Sequence, residues 1–212
     1  MIKIKKFVFN NFMVNTYFLH DESGDCIVID AACYEPAEEN EVRKFIAGNN
    51  LNLVRNLNTH CHIDHVLGNN FIAKQYGVYP EYHKNSLPFF STVKEIGSSF
   101  GFSITQVPEP KRYLEDGETI HWGNSSLVVL STPGHAEGSV CFYNENQQFV
   151  ITGDVLFKDT IGRTDLPSGD FDQLMKSIKT KLFTMPGETI VYPGHGPETS
   201  IGYEMENNPF IR

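Results

Sequence analysis

The chain has 212 residues and a formal net charge of −9, with 40% hydrophobic and 20% charged residues. That balance is ordinary for a soluble globular protein, and the length suits one domain over residues 1–212 with a substantial core. It provides no basic footprint for nucleic acid, it disfavours anionic membrane surfaces, and no apolar run reaches the roughly 18 residues of a membrane-spanning helix.

Ile2 to Phe9 alternates apolar and basic residues, as an edge strand does. Asn10 and Asn11 interrupt the apolar run and no small-residue cleavage site follows, so no secretory leader is expected. Thr16 to Leu19 and Cys26 to Ile29 read as strands around the turn-forming cluster Asp21-Glu22-Ser23-Gly24-Asp25. Pro36 to Ala47 has the pattern of an amphipathic helix, with Pro36 in its first turn. Leu51 to Leu57 is a strand running into Thr59-His60-Cys61-His62-Ile63-Asp64-His65, and Val66 to Tyr76 is a helix ended by Gly77. Lys84 to Gly117 reads as helix plus irregular loop. Short strands follow at Thr119–Trp122, Ser126–Leu130, Ser139–Tyr143 and Gln148–Ile151. Leu156 to Asp170 reads as a long loop, Phe171 to Phe183 as a helix with Asp170 as its N-cap. Thr189–Tyr192 is the last strand, and Glu198 to Glu206 a final short helix.

Chemistry concentrates at four places. The segment from His60 to His65 offers four potential metal ligands, more than one zinc needs once a position is left for water. Pro133-Gly134-His135, Thr152-Gly153-Asp154 and Pro193-Gly194-His195 each follow an apolar run and place Gly before a potential ligand. Glycine admits the tight backbone needed where a strand end approaches an ion. Seven ligands, one of them an aspartate able to bridge, suit two divalent ions about 3.5–4 Å apart sharing a hydroxide. His20, His83 and His121 lack such context and read as surface or loop histidines. Cys26, Cys33, Cys61 and Cys141 have no CxxC spacing and read as reduced thiols of a cytoplasmic protein, Cys61 as a buried structural one. Trp122, Tyr143 and the Phe89-Phe90 pair read as core rather than substrate contacts. For Arg163 two readings stand level: a contact to an anionic substrate group, or an ion pair with Asp165 or Asp170 that fixes the loop.

The segment Thr59 to His65 resembles the HxHxDH signature of the metallo-β-lactamase fold, and its spacing to His135, Asp154 and His195 resembles the dinuclear hydrolase branch, glyoxalase II (hydroxyacylglutathione hydrolase) above all. The resemblance runs from Asn15-Thr16-Tyr17 and Ile29-Asp30 to Asn208-Pro209-Phe210. It implies an α+β protein built as a four-layer αββα sandwich. It also implies that His60, His62 and His135 hold one ion, that Asp64, His65 and His195 hold the other, and that Asp154 bridges. Asp64 and Asp154 are then the carboxylates of the catalytic machinery. The counterpart of Asp64 can act as a base in single-metal relatives, and here its expected role is that of a ligand. The implied cofactors are two divalent ions, zinc first, with iron and manganese as alternatives, and the implied partner is a small thioester such as an S-2-hydroxyacyl glutathione. Three departures stand out, two of which bear on the thiol carrier. Asp30-Ala31-Ala32 replaces the usual Asp-Pro-Gly, without bearing on the carrier, whereas Tyr192-Pro193-Gly194-His195-Gly196-Pro197-Glu198 lacks the second Tyr of the glutathione-contacting stretch. The sequence also stops soon after His195, where glyoxalase II carries a helical glutathione-holding domain. The resemblance is thus to a short glyoxalase II-like branch. A mononuclear iron persulfide dioxygenase, which shares Gly162-Arg163-Thr164-Asp165, is the alternative, with lactone hydrolase third and β-lactamase less favoured.

Overall fold

A computed structural model describes residues 1–211. These residues form two six-stranded sheets and one two-stranded sheet, and they divide into two compact units. None of their helices is long and apolar enough to cross a membrane.

The first unit comprises Met1–Tyr113 with His121–Ser125. Its sheet runs in the order β1 (Lys3–Phe9), β2 (Val14–His20), β3 (Asp25–Ile29), β4 (Asn52–Leu57), β5 (Pro80–His83), β6 (Arg112–Leu114). β1 lies at the edge and alternates exposed with covered residues, whereas β2 is buried along nearly its whole length. The pairs β1–β2 and β2–β3 are antiparallel, and β3–β4 and β4–β5 are parallel. A parallel pair needs a crossover, and α1 (Pro36–Gly48) supplies the one between β3 and β4. Val42 and Ile46 on α1 join Phe18, Val28, Leu53 and Ile72 in one core cluster. Full burial of such side chains stabilises by about 1.5–3 kcal/mol each.

The helix expected over Val66 to Tyr76 is two helices, α2 (Ile63–Val66) and α3 (Asn69–Tyr76). Gly68 sits at the break, its N–H donating to the Ala31 carbonyl at 2.8 Å. A Cβ there would lie 2.7 Å from Cys33 Sγ and 2.8 Å from the Ala31 oxygen, so close backbone approach, not helical periodicity, governs this turn. Gly77 ends α3 in the left-handed conformation, as expected. The stretch from Lys84 onward contains a 3₁₀ turn, Lys84–Ser86, then α4 (Leu87–Ser99) and β6. β5 and β6 are too short to show a strand period in the sequence, and no strand is expected there. Glu81 in β5 is fully buried and takes Arg55 Nη2 at 2.6 Å and Arg112 Nε at 2.8 Å.

The second unit comprises Leu114–Ile120 and the described residues from Ser126 onward. Its sheet has the order β14 (Thr199–Ser200), β13 (Ile190–Pro193), β10 (Phe149–Gly153), β9 (Val140–Asn144), β8 (Ser125–Ser131), β7 (Thr119–Trp122). β10 and β13 are parallel, and the crossover between them carries α5 (Phe171–Ser177). α5 passes into a π-helical turn, Ile178–Leu182, where a single α-helix to Phe183 was expected. Leu174, Ile178 and Leu182 pack with Val150, Val191 and Ile201. Asp170 caps α5, its Oδ1 accepting from Gln173 N at 2.9 Å. The stretch read as one long loop contains a hairpin, β11 (Leu156–Phe157) with β12 (Thr160–Ile161). The final helix, α6 (Ile201–Asn207), follows β14.

Asp21 ties the β2–β3 turn to the Gly123–Ser125 turn within the first unit. Its carboxylate accepts from Ser23 N and Oγ, Asn124 N and Ser125 Oγ at 2.5–2.9 Å. Burial alone would raise its pKa, but these hydrogen bonds, that of Ser125 foremost, outweigh burial and hold it at about 2. The unfolded value is about 3.9. The contribution is therefore present above pH ~4 and lost as the pH falls towards 2, and it amounts to roughly 2–3 kcal/mol. Asp21→Asn is expected to lower stability at pH 7 and to flatten the acid limb between about pH 4 and 2. Denaturant unfolding across that pH range checks this, and an unchanged acid limb would refute it.

Candidate metal centre

In the first unit the potential ligands lie where β4 ends. Parallel pairing carries β3 and β4 out side by side, and Asp30 follows the former while Asn58-Thr59-His60 follows the latter. His60 and His65 are buried, and His62 and Asp64 are half-buried. The His60 ring centroid is 4.7 Å from that of His62 and 4.2 Å from that of His65. Ligand atoms of His60 and His62, of His60 and His65, and of Asp64 and His65 lie within 4.8 Å of each other. His65 Nε2 is 3.7 Å from Asp64 Oδ2. Two ligands about 2.1 Å from one tetrahedral ion stand ~3.4 Å apart, so this spacing suits a shared ion.

The surrounding polar groups orient these side chains. Asp30 Oδ2 stands 3.0 Å from His65 Nδ1, and Thr59 Oγ1 stands 3.0 Å from His60 Nδ1. Asn58 Nδ2 donates to the His65 carbonyl and Asn10 Nδ2 to the Asp64 carbonyl, at 3.2 and 3.1 Å. Phe89 meets His62 edge to face with centroids 5.1 Å apart, while its neighbour Phe90 is buried against Tyr82. Cys61 is buried, and burial pushes its thiol far above the usual range, so it is an inert structural thiol. Asp30 itself has φ 53°, a conformation uncommon for a non-glycine residue, which its surroundings must enforce.

In the second unit Asp154 follows β10 and His195 follows β13. The two parallel strands end together, with Gly153 opposite Pro193 after a register shift and Gly194 N donating to the Gly153 carbonyl at 2.8 Å. Asp154 Oδ2 is consequently 3.5 Å from His195 Nε2, and it is 3.7 Å from His135 Nε2. Those distances again suit co-ligands. The turn bearing His135 is pinned to α5: Asp170 N donates to the Gly134 carbonyl and Ser177 Oγ to the Pro133 carbonyl, both at 2.7 Å. Gly134 has a positive φ of 134°, and a Cβ there would collide with Leu174. His135 Nδ1 lies 2.8 Å from the Arg163 carbonyl. A Cβ on Gly162 would collide with the Asp154 carbonyl, so only glycine lets that segment pass.

The structure therefore brings His60, His62, Asp64 and His65 together in one unit and His135, Asp154 and His195 together in the other. Arg163 pairs with Asp165, Nε and Nη2 on the two carboxylate oxygens at 2.7 and 2.8 Å, with both side chains exposed. Asp170 is engaged as the α5 cap. His20 and His83 end strands and are half-buried, whereas His121 lies within a strand and is exposed, a surface histidine as expected. Trp122 is buried and Tyr143 packs on the second unit's core, as expected of core residues. The roles of Asp30, Thr59 and the Arg163 carbonyl, and the contact of Phe89 with His62, have no signature in the sequence. Asp30 is visible in the Ile29-Asp30 match and in the Asp30-Ala31-Ala32 departure, in neither case with a role.

The donor set fits divalent metal. Aspartate oxygen and imidazole nitrogen are ligands such ions accept, and buried ring nitrogens backed by a carboxylate or a carbonyl are the usual setting of metal-binding histidines. The metallo-β-lactamase superfamily profile matches residues 10–195. "Probable metallo-hydrolase YqgX" of Bacillus subtilis (strain 168) is 35% identical over 199 residues, 93% of this chain and 92% of that protein. "Hydroxyacylglutathione hydrolase GloC" of Haemophilus influenzae is 32% identical over 203 residues, 94% and 93% of the two chains. Among solved structures, the BLEG-1 B3 metallo-β-lactamase has a TM-score of 0.88 at 28% identity, covering 100% of this chain and 99% of its own. TTHA1623 in a di-iron-bound form has a TM-score of 0.85 at 32% identity, covering 97% and 99%. ETHE1 from Myxococcus xanthus has a TM-score of 0.79 at 25% identity, covering 98% and 83%. With the α+β fold of these structures, two sheets and their helices, and with a profile match that includes every one of the potential ligands, the chain belongs to the metallo-β-lactamase superfamily.

Proposed function

We propose that the chain is a two-metal thioester hydrolase of glyoxalase II-like type. Its ligand sets are His60, His62 and His135 for one ion and Asp64, His65 and His195 for the other, with Asp154 bridging. The observation that carries this reading is Asp154 standing between two histidine Nε2 atoms at 3.5 and 3.7 Å, while four further ligands gather after β4. A single ion would use three or four of the seven. Two divalent ions bound there supply Lewis acidity towards a carbonyl and a hydroxide nucleophile at neutral pH. The chain's own part is to hold the charges. Asp154 and Asp64 bring negative charge to the ions, and Phe89 walls the His62 side with an apolar ring. A thiolate leaves with little need of a proton, which agrees with the absence of an assigned general acid. The likeness to GloC over nearly the full length of both chains supports the acyl-thiol substrate class. Zinc is the first choice of metal, with iron a strong alternative given the di-iron-bound neighbour. The likeness to ETHE1 keeps an iron oxygenase as the second reading. That reading predicts one iron per chain and oxygen uptake with a persulfide.

Elemental analysis after metal-replete expression is expected to approach two ions per chain, whereas one ion with full thioesterase activity overturns the proposal. Asp154→Asn removes the bridging charge and is expected to lower kcat on the order of 10²-fold, the scale on which removal of one preorganised electrostatic group acts. Wild-type activity and metal content in that variant would refute the bridge.

Discrimination among thiol carriers is expected to be loose. Gly196-Pro197-Glu198 stands where the glutathione-contacting stretch of the resembling family carries its second Tyr, and all three residues are exposed. Comparing kcat/KM for one acyl group on glutathione, on coenzyme A and on a simple alkyl thiol tests this. A preference for glutathione of 100-fold or more, about 2.7 kcal/mol at 1.36 per decade, would show a dedicated clamp elsewhere on the chain.

A further inference from the structure

We infer that Asp30 is a positioning residue shared by both ions, setting the tautomer of His65 directly and that of His60 through the Thr59 hydroxyl. The inference rests on the two-ion assignment above, in which His60 and His65 serve different ions.

Asp30 is 1% exposed and its backbone is clamped. Its N–H donates to the Leu57 carbonyl at 2.9 Å, and its carbonyl accepts from Thr16 Oγ1 at 2.5 Å. That clamp holds the residue at φ 53° and aims the carboxylate at the turn after β4. Oδ1 accepts from Thr59 N at 2.7 Å, and Oδ2 accepts from Thr59 Oγ1 at 2.7 Å. The same Oδ2 faces His65 Nδ1 at 3.0 Å. A carboxylate only accepts, so the proton of that pair sits on His65 Nδ1. The Thr59 hydroxyl has one proton, and it is committed to Asp30. Towards His60 Nδ1, 3.0 Å away, the Thr59 oxygen can therefore only accept, which places the proton on His60 Nδ1 as well. Both imidazoles then present Nε2 as the lone-pair nitrogen, the form a divalent ion binds. One buried carboxylate thus orders two rings whose centroids are 4.2 Å apart.

A purely structural Asp30 would need only the Thr59 N–H and the backbone clamp. The relay also needs the Thr59 hydroxyl, so the variant that separates the two is Thr59→Val, which keeps the backbone bond and removes the oxygen. The experiment uses the full chain, zinc-loaded and ¹⁵N-labelled at histidine, as wild type and as Thr59→Val, Thr59→Ser and Asp30→Asn. Nδ1–H protons of His60 and His65 are followed by NMR, and zinc release to a chelating dye is followed by absorbance. Thr59→Val is expected to lose the slowly exchanging His60 Nδ1–H, to keep that of His65, and to speed release of one ion about 10–100-fold, the range of such outer contacts. Thr59→Ser should match wild type, and Asp30→Asn should disturb both rings and speed release of both ions. A Thr59→Val protein with the His60 Nδ1–H intact, or with both ions released equally faster, overturns the relay. If Asp30→Asn does not fold, the Thr59 pair of variants decides. If wild type holds a single ion, the two-ion reading fails by itself, while the His60 and His65 resonances still decide whether the relay exists.

Discussion

A buried imidazole has two ring nitrogens, and only one of them can face an ion. The other must find a partner inside the protein, because a buried polar group left unsatisfied costs about 1–3 kcal/mol. His60, His65 and His135 are all buried, and each turns Nδ1 to a different group: the Thr59 hydroxyl, the Asp30 carboxylate and the Arg163 carbonyl. The same contact that satisfies Nδ1 aims Nε2. One set of hydrogen bonds therefore both satisfies the buried rings and fixes the direction of their Nε2 atoms.

The two units solve the placement problem alike. In each, functional groups emerge beyond the carboxyl ends of two neighbouring parallel strands. Asp30 and the His60 turn follow β3 and β4, while Asp154 and His195 follow β10 and β13. Parallel pairing makes two chain segments leave a sheet side by side in the same direction, which antiparallel neighbours cannot do. The crossover helices α1 and α5 then bury the faces of these strands, so the ends carrying the chemistry rest on well-packed cores. Glycine is required where the backbone passes closest. Gly134 lies against Leu174, and Gly162 against the Asp154 carbonyl.

Arg163 shows how much side-chain identity leaves unsaid. Its guanidinium forms an exposed pair with Asp165, and such pairs contribute only about 0–1 kcal/mol. Its main-chain oxygen, an atom every residue possesses, is what reaches His135. The loop-fixing pair and the ring contact occur in the same residue, and the second has no signature in residue type.

The candidate ligands stood out in the sequence because metal chemistry restricts residue type. Only a few side chains bind such ions, and four of them within His60 to His65, with three more after Gly, form a pattern that chance rarely supplies. Most strands and the amphipathic helices were legible too, since burial of one face imposes a period on the sequence. Among the features that were not are the short strands β5 and β6, the π-helical turn after Ser177, the break at Gly68 and the β11–β12 hairpin. The last two are set by what lies against them. Gly68 yields to the Ala31 carbonyl, and the hairpin residue Asp159 is held by buried Glu204, whose oxygens accept its N–H at 3.1 and 3.3 Å. The partners of the histidines were equally hidden, because Asp30 acts on His65 across 35 positions of sequence. Residue type and period are local properties that a sequence by itself determines. The pairing of an Nδ1 with one particular oxygen is a distance, and distances between remote positions exist only once tertiary packing has brought the strand ends together.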